Sequence, residues 1–409
     1  MEQKLTLNFC HTLEGSPKSP PTSKLFTVRI STQAIAAEVI RTANREKPAD
    51  TALREVLKEF RDLPPFDARE VSSLVFLYYR WHGWTREERG VEAKMRLARR
   101  LDERFRANPT SFPNAELRAK AVPEWTSAQM EVSDEWLRSL QSEPTLWLRA
   151  KHGQAAALAE KLRLSRTLAP PALPDALVYD GEADLFKTPE FHAGEFEIQD
   201  IASQAVGLIC DPKPGETWWD ACAGEGGKLL HLSDLMQNKG LIWASDRAAW
   251  RLQKLKRRTA RAKVFNYRAA TWDGGAKLPT KTKFDGVLVD APCSGLGTWQ
   301  RNPHARWTTT PGDVAELAAV QAKLLANVAS SVKVGGKLIY SVCTLTRAET
   351  EGVVKTFNDT QPKFVPLTRP LLAAGGKESR ALASTATLTI WPHDFDGNGM
   401  FVAAWQKRG

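Results

Sequence analysis

The 409-residue chain is 42% hydrophobic and 25% charged, a composition that excludes disordered and fibrous classes. Its length implies roughly two or three domains. The net charge of +10 favours a polyanionic partner, because a basic surface recruits phosphate by charge alone.

No stretch approaches the ~18 apolar residues of a membrane span. The start, MEQKLTLNFCHTLEGSPKSPP, lacks the basic and apolar segments of a signal peptide. A cytoplasmic protein with no membrane partner is expected, with a monomer as the default state.

Residues 1–24 are rich in Ser, Pro and Lys without periodicity and read as a flexible tail. Residues 25–112 read as an all-α domain. Leu53, Val56, Leu57 and Phe60 fall on one helix face, and Val71, Leu74, Val75 and Tyr78 on another, with Asp67 as N-cap of the second. Met95, Ala98, Leu101 and Phe105 mark a further helix that stops before Asn108-Pro109. Residues 113–195 read as a small α/β subdomain. Asp134–Leu140 is helical, Leu146–Arg149 a strand and Gln154–Leu164 helical, with a breaker at Ala169-Pro170-Pro171-Ala172-Leu173-Pro174.

Residues 196–409 alternate strands with helices, which predicts an α/β domain on a parallel sheet. Strands are expected at Thr217–Asp220, Leu241–Asp246, Asp285–Asp290 and Lys337–Val342. The helices between them are Lys228–Gln237, Ala248–Arg261 and Asp313–Val332. Thr387–Pro392 and Met400–Gln406, around Asp396-Gly397-Asn398-Gly399, read as a C-terminal antiparallel hairpin.

The loop Ala221-Cys222-Ala223-Gly224-Glu225-Gly226-Gly227-Lys228 joins a strand to a helix, where glycines let the backbone approach a ligand. Asp246, at the end of the next strand, can accept hydrogen bonds from both ribose hydroxyls of a nucleoside cofactor. A nicotinamide dinucleotide fits such a loop almost as well, although GxGxxG spacing is missing.

Five cysteines occur: Cys10, Cys210, Cys222, Cys293 and Cys343. An odd count without CxxC or Cys/His clusters argues against a disulfide framework and against a metal site. Cys293 and Cys343 follow two strands, and ligands gather outside the carboxyl ends of parallel strands. Both thiols and Asp290 therefore face the edge that carries the glycine loop. Methylation of a cytosine at carbon 5 requires such a set. A thiolate adding to carbon 6 breaks the aromaticity, a carboxyl near nitrogen 3 stabilises the charge, and a base must then remove the carbon-5 proton. For one isolated cysteine, burial as a small hydrophobe is the better reading. Two at adjacent strand ends favour chemistry.

DACAGEGGK, VLVDAPCSG, RNPHARW and GGKLIYSVCTL occur in this order, and together they resemble the RsmB/Sun-type RNA (cytosine-5) methyltransferases over about 195–409. Residues 25–110 are similar to the NusB-like helical domain of some members, and 115–195, with PTLWLRAK, to the family's RNA-binding subdomain. The resemblance implies a Rossmann-like methyltransferase core and S-adenosyl-L-methionine as cofactor, with ribosomal RNA as partner and transfer RNA next. It implies Cys343 as nucleophile, Cys293 as the thiol that helps release product, and Asp290 at the base and the sulfonium. Residues Cys222 to Lys228 would wrap the cofactor, with Asp246 on the ribose and Lys228 holding Asp290.

Three departures stand out. Val342 replaces the family's usual threonine beside the nucleophile. Ala348-Glu349-Thr350-Glu351 lacks the usual asparagine, and Asp273 is the nearest candidate for a third cofactor carboxylate. Arg301, His304, Arg306 and Trp307, just after the DAPCSG loop, are the expected RNA contacts. Trp299 and Trp307 are candidates to stack on an unstacked base. The basic run from Arg247 to Lys263 reads as a solvated helix face or a phosphate track.

Overall fold

The protein is described here by a computed structural model covering residues 31–164, 173–367 and 387–409. The tail, Cys10 and the first part of the proline-rich breaker lie outside the described residues.

Helices Thr32–Thr42, Ala49–Glu59, Pro65–Arg80 and Val91–Ala107 pack through the apolar stripes that their periodicity predicts. Ile35, Val39, Leu53, Val56, Val71, Leu74, Val75, Tyr78 and Met95 form one buried cluster. The N-cap expected at Asp67 is displaced. Pro64 caps the helix Pro65–Arg80, and Asp67 sits in its first turn, where a carboxylate still favours the positive end of the helix dipole.

The small subdomain differs from expectation at both ends. Helices Asn114–Lys120 and Asp134–Ser139 join the helical part: Leu117, Trp136, Leu137 and Leu140 share a core with Trp81, Phe105 and Phe112. The sheet itself comprises β1 (Trp147–Ala150), β2 (Ala176–Val178) and β3 (Phe196–Ile198), ordered β2-β1-β3 and antiparallel. Its last strand lies beyond the expected boundary at 195.

The main sheet contains β4 (Thr217–Asp220), β5 (Leu241–Asp246), β6 (Tyr267–Thr271), β7 (Phe284–Asp290), β8 (Val332–Val342), β9 (Phe364–Pro366), β10 (Thr387–Ile390) and β11 (Met400–Lys407). The order is β10-β11-β8-β7-β4-β5-β6, with β9 also paired to β11. Strands β4 to β8 are parallel, and β11 pairs antiparallel with β8, β9 and β10. This is the expected Rossmann-like sheet. The C-terminal hairpin is built into its edge, because β11 pairs along β8 from Phe401↔Val342 to Gln406↔Lys337.

Short or weakly apolar strands escaped the sequence pattern. β6, Tyr267–Thr271, is one, having only partly buried and exposed residues. β8 begins five residues early because Phe284 pairs with Val332 before a bulge. Pro311–Ala329 starts at a Thr310/Asp313 capping box with Pro at its first position. Two buried clusters fill the faces of the sheet, one around Trp218, Leu288 and Ile339, the other around Trp219, Val289 and Tyr340. The strands' carboxyl ends are left for the site.

Candidate active site

β4 ends at Asp220, and the chain turns through residues 221–226 into helix Gly227–Leu235. Gly224 and Gly226 take φ of 54° and 89°, a region that favours residues without Cβ. The loop is held by Asp246 at the end of β5: Gly224 N–H donates to Asp246 Oδ2 at 3.1 Å, and Ala248 N–H to Oδ1 at 2.8 Å. A Cβ built on Gly224 or Gly227 would meet nothing within 4 Å, so the loop borders open space. Ala223 and Asp246 are buried, and Cys222 packs partly buried against the apolar core.

Glu225 pairs with Lys254 at 2.7 Å. Asp273 follows β6, is exposed, and accepts a hydrogen bond from Gly275 N–H at 2.8 Å.

Lys228 stands in the first turn of that helix and reaches across the strand ends to Asp290. Its Nζ lies 2.7 Å from Asp290 Oδ2. Burial alone would depress the ammonium, but the Asp290 partner holds it above the usual lysine value. Ser341 Oγ donates to the other oxygen, Oδ1, at 2.8 Å. Asp290 is thus held from two sides, one contact expected and one missed. Register explains the missed one, since Asp290 is the direct partner of Ser341 in β7 and β8.

Cys293 and Cys343 meet at the ends of the same two strands, with Sγ···Sγ 3.4 Å. The hydrogen bond from Cys293 holds the Cys343 thiol below its usual value, and the Lys228 cation acts in the same direction against burial. Cys293 is pushed well up by the same hydrogen bond, by burial and by the charge of Glu349. The opposed shifts make Cys343 the more readily ionised sulfur of the pair. Cys210 and Cys222 carry thiols that burial pushes far up, consistent with inert roles.

Three residues that the sequence pattern does not single out complete the site. Glu349 is fully buried and accepts from the Ser294 and Gln321 nitrogens and from the Ser294, Thr344 and Thr346 hydroxyls. Asp220 is buried behind the glycine loop. The Cys222 amide leans toward it without closing a hydrogen bond, and among the described residues neither carboxyl oxygen has another partner. Asp200 accepts from Asn398 N–H at 3.1 Å and contacts Arg301 at 3.4 Å. A polar residue inside an apolar stretch was the available signal for Asp220. Glu349 was marked only by the asparagine missing from its motif, and its carboxylate partners come from three segments.

The expected RNA contacts need correction. Arg306 is fully buried, and its guanidinium donates to the carbonyls of Arg80, Ala121, Leu140 and Trp299 at 3.0–3.4 Å. His304 is buried edge-on against Tyr79, and Trp307 Nε1 donates to Tyr79 O at 2.7 Å. These three bind the helical part, because helix Pro303–Thr308 packs against Pro65–Arg80. Trp299 is also fully buried, stacked on Trp136. Arg301 keeps a partly exposed side chain, paired with Asp200 and Thr145 O, and does not join the helical part. In the basic helix Ala249–Ala262, Arg258 and Arg261 are ion-paired to Glu197 of β3, so part of that run docks the small sheet.

Chemically, the arrangement offers a sulfur nucleophile, a second thiol and a carboxylate bridged to an ammonium, all beside a loop that can cradle a ligand. Among the described residues no cluster of His, Cys, Asp and Glu could hold a metal ion, and no helix is long and apolar enough to cross a membrane.

The family described as 16S rRNA methyltransferase RsmB/F matches residues 207–406. A relative from Synechocystis, named probable ribosomal RNA small subunit methyltransferase B, is 38% identical over 259 residues, covering 62% of this chain and 56% of its own length. The chain spans about half the length of the curated relatives it matches. The crystal structure of PH0851 shares the fold with a TM-score of 0.73 at 23% identity, covering 92% of this chain and 99% of its own. A methyltransferase homolog from Pyrococcus horikoshii superposes with a TM-score of 0.56 at 25% identity, covering 67% and 90%. The matched segment encloses the glycine loop, both thiols and the C-terminal strands, so residues 207–406 are similar to the RsmB/F methyltransferase family across the whole candidate site.

Proposed function

We propose that the protein is an RNA (cytosine-5) methyltransferase that acts on ribosomal RNA with S-adenosyl-L-methionine as methyl donor. The observation that carries this reading is the thiol pair, 3.4 Å apart at adjacent strand ends and beside the Lys228–Asp290 pair. S-adenosyl-L-methionine supplies a methyl group made electrophilic by its sulfonium. The open space along Gly224 and Gly227 and the unpartnered, buried Asp220 fit a cationic nucleoside ligand. Residues Cys222 to Lys228 would line it, with Asp246 and Asp273 on the nucleoside side and Asp290 toward the reacting centre.

In this mechanism Cys343 adds through its sulfur to carbon 6 of a cytosine turned out of its stack, which makes carbon 5 nucleophilic. Asp290, fixed between Lys228 and Ser341, meets the ring near nitrogen 3, and the Lys228 ammonium balances the charge that arrives there. Carbon 5 then takes the methyl group. Once a base removes the carbon-5 proton, the bond from Cys343 to carbon 6 breaks and its electron pair returns to sulfur. The Cys293 S–H, in hydrogen-bond contact, stabilises the departing thiolate. Arg301 and the small β1–β3 sheet are read as RNA-facing, and helix Pro303–Thr308 as structural.

Cysteine variants incubated with methyl donor and RNA test the order of events. Cys343→Ala is expected to abolish transfer, and Cys293→Ala to accumulate a covalent protein–RNA adduct on denaturing gels. An adduct from Cys343→Ala would assign the attack to Cys293 instead. No calorimetric binding of the methyl donor would favour a non-catalytic RNA-binding assembly factor.

A further inference from the structure

The two thiols sit on separate loops. Cys293 follows β7 and Cys343 follows β8, and strand pairing ends at Asp290↔Ser341, short of both. Neither loop is a helix or a strand at its cysteine. Something else must hold two sulfurs in contact. Ala291 N–H donates to Ser341 O at 3.0 Å, and Gly297 N–H to Cys343 O at 3.0 Å, which brackets the pair but does not clamp the residues between.

The Ser294 and Thr344 hydroxyls meet between the loops at 2.9 Å, and Glu349 fixes both of them. One carboxylate oxygen accepts from Ser294 N–H at 2.8 Å, next to Cys293, and from Gln321 Nε2 at 3.0 Å. The other accepts from Thr346 Oγ1 at 2.8 Å and Thr344 Oγ1 at 3.2 Å, next to Cys343, and from the Ser294 hydroxyl. The same Gln321 amide reaches back to Pro292 O at 2.9 Å, and the Tyr340 hydroxyl donates to Glu349 O at 2.6 Å. Among the described residues no Lys or Arg pairs with Glu349. Neutral donors from both thiol loops therefore satisfy a fully buried carboxylate.

We propose that Glu349 is a positioning residue for the thiol pair, its carboxylate tying the Cys293 loop to the Cys343 loop and so setting the contact between the two sulfurs. The proposal rests on the reading of these thiols as the reactive pair. Two substitutions separate reach from charge. Glu349→Gln keeps the reach: its amide oxygen retains the Ser294 and Gln321 donors, and the threonine hydroxyls rotate to accept from its NH2. Glu349→Asp keeps the charge but is one methylene too short to touch both loops.

The readout is intramolecular cross-linking by diamide, followed by mass spectrometry. The two thiols lose two protons and two electrons to the azo bond and form a sulfur–sulfur bond, at a rate that tracks how often the sulfurs meet. Glu349→Asp is expected to cross-link at least about tenfold more slowly than wild type, with methyl-transfer kcat reduced by a similar factor or more and KM little changed. Glu349→Gln should stay within about threefold in both. The reverse ranking would make charge the role of Glu349 and overturn the proposal, as would wild-type rates in both variants. Thr346→Val, which removes one donor at nearly constant volume, should fall between wild type and Glu349→Asp. Cross-linking needs neither RNA nor methyl donor. A wild-type protein that fails to methylate RNA would therefore overturn the proposed function and leave this comparison as the test of Glu349.

Discussion

Asp220 and Val342 show how much a single side chain depends on what surrounds it. Burial, and next the Asp290 charge, pushes the Asp220 carboxyl from 3.8 up to about 7. A raised folded value means that the native state keeps a proton which the unfolded chain releases. Its stabilising contribution is complete below about pH 4 and is lost as pH rises through about 7. Asp220→Asn, which cannot ionise, should therefore melt above wild type at pH 8 by about 2–4 °C, the gap narrowing as pH falls and closing near pH 4. An identical pH dependence in the two proteins would contradict the burial argument. Val342 looked like a fault beside the nucleophile. Its side chain instead enters the apolar cluster with Tyr340 and Val289, while Ser341, on the opposite face, gives Asp290 its hydroxyl. The valine removes no contact from the site.

At the scale of elements, loops are held by elements distant in sequence. The turn before β11 closes on the DAPCSG loop through Gly399 N–H donating to Gly297 O at 2.8 Å. A Cβ on Gly297 would lie 2.2 Å from Gly399 O, a backbone atom with nowhere to move. Gly297→Ala should cost about 1–3 kcal/mol in denaturant unfolding and impair methyl transfer. Gly312→Ala, whose Cβ meets only Thr310 Oγ1 at 3.6 Å, should be near neutral. Equal stabilities would show that the turn and the loop move apart freely. The DGNG sequence was legible as a turn from its residue types. Its partner was not, because the contact is backbone to backbone and leaves no side-chain signal.

Over the whole molecule, the helical part and the site share one core. Trp81, Phe105, Phe112 and Trp136 pack in the cluster that holds Leu296, Trp299 and Leu345 from the two thiol loops. Arg306 pins this junction. Burial lowers its guanidinium to about 9, which keeps it charged at neutral pH while four carbonyls share its protons. Arg306→Met would leave those carbonyls unpaired and should cost about 3 kcal/mol or more in urea unfolding. A loss below about 1 kcal/mol would show that the carbonyls find other donors. The helical part therefore supports the site's loops directly.

The alternation of strands and helices, the glycine loop, Asp246 and both strand-end thiols were readable from residue type and spacing, because periodicity and turn chemistry are local properties. So was the Lys228–Asp290 pair, through the family resemblance. Which charged residues face solvent was not readable. His304, Arg306 and Trp307 look like an exposed RNA-binding group in sequence, and only the packing of Pro303–Thr308 against Pro65–Arg80 turns them inward. Glu349 is the reverse case, a carboxylate given no role in sequence that becomes central once three segments converge on it. Both depend on contacts between residues far apart in the chain, which tertiary packing decides.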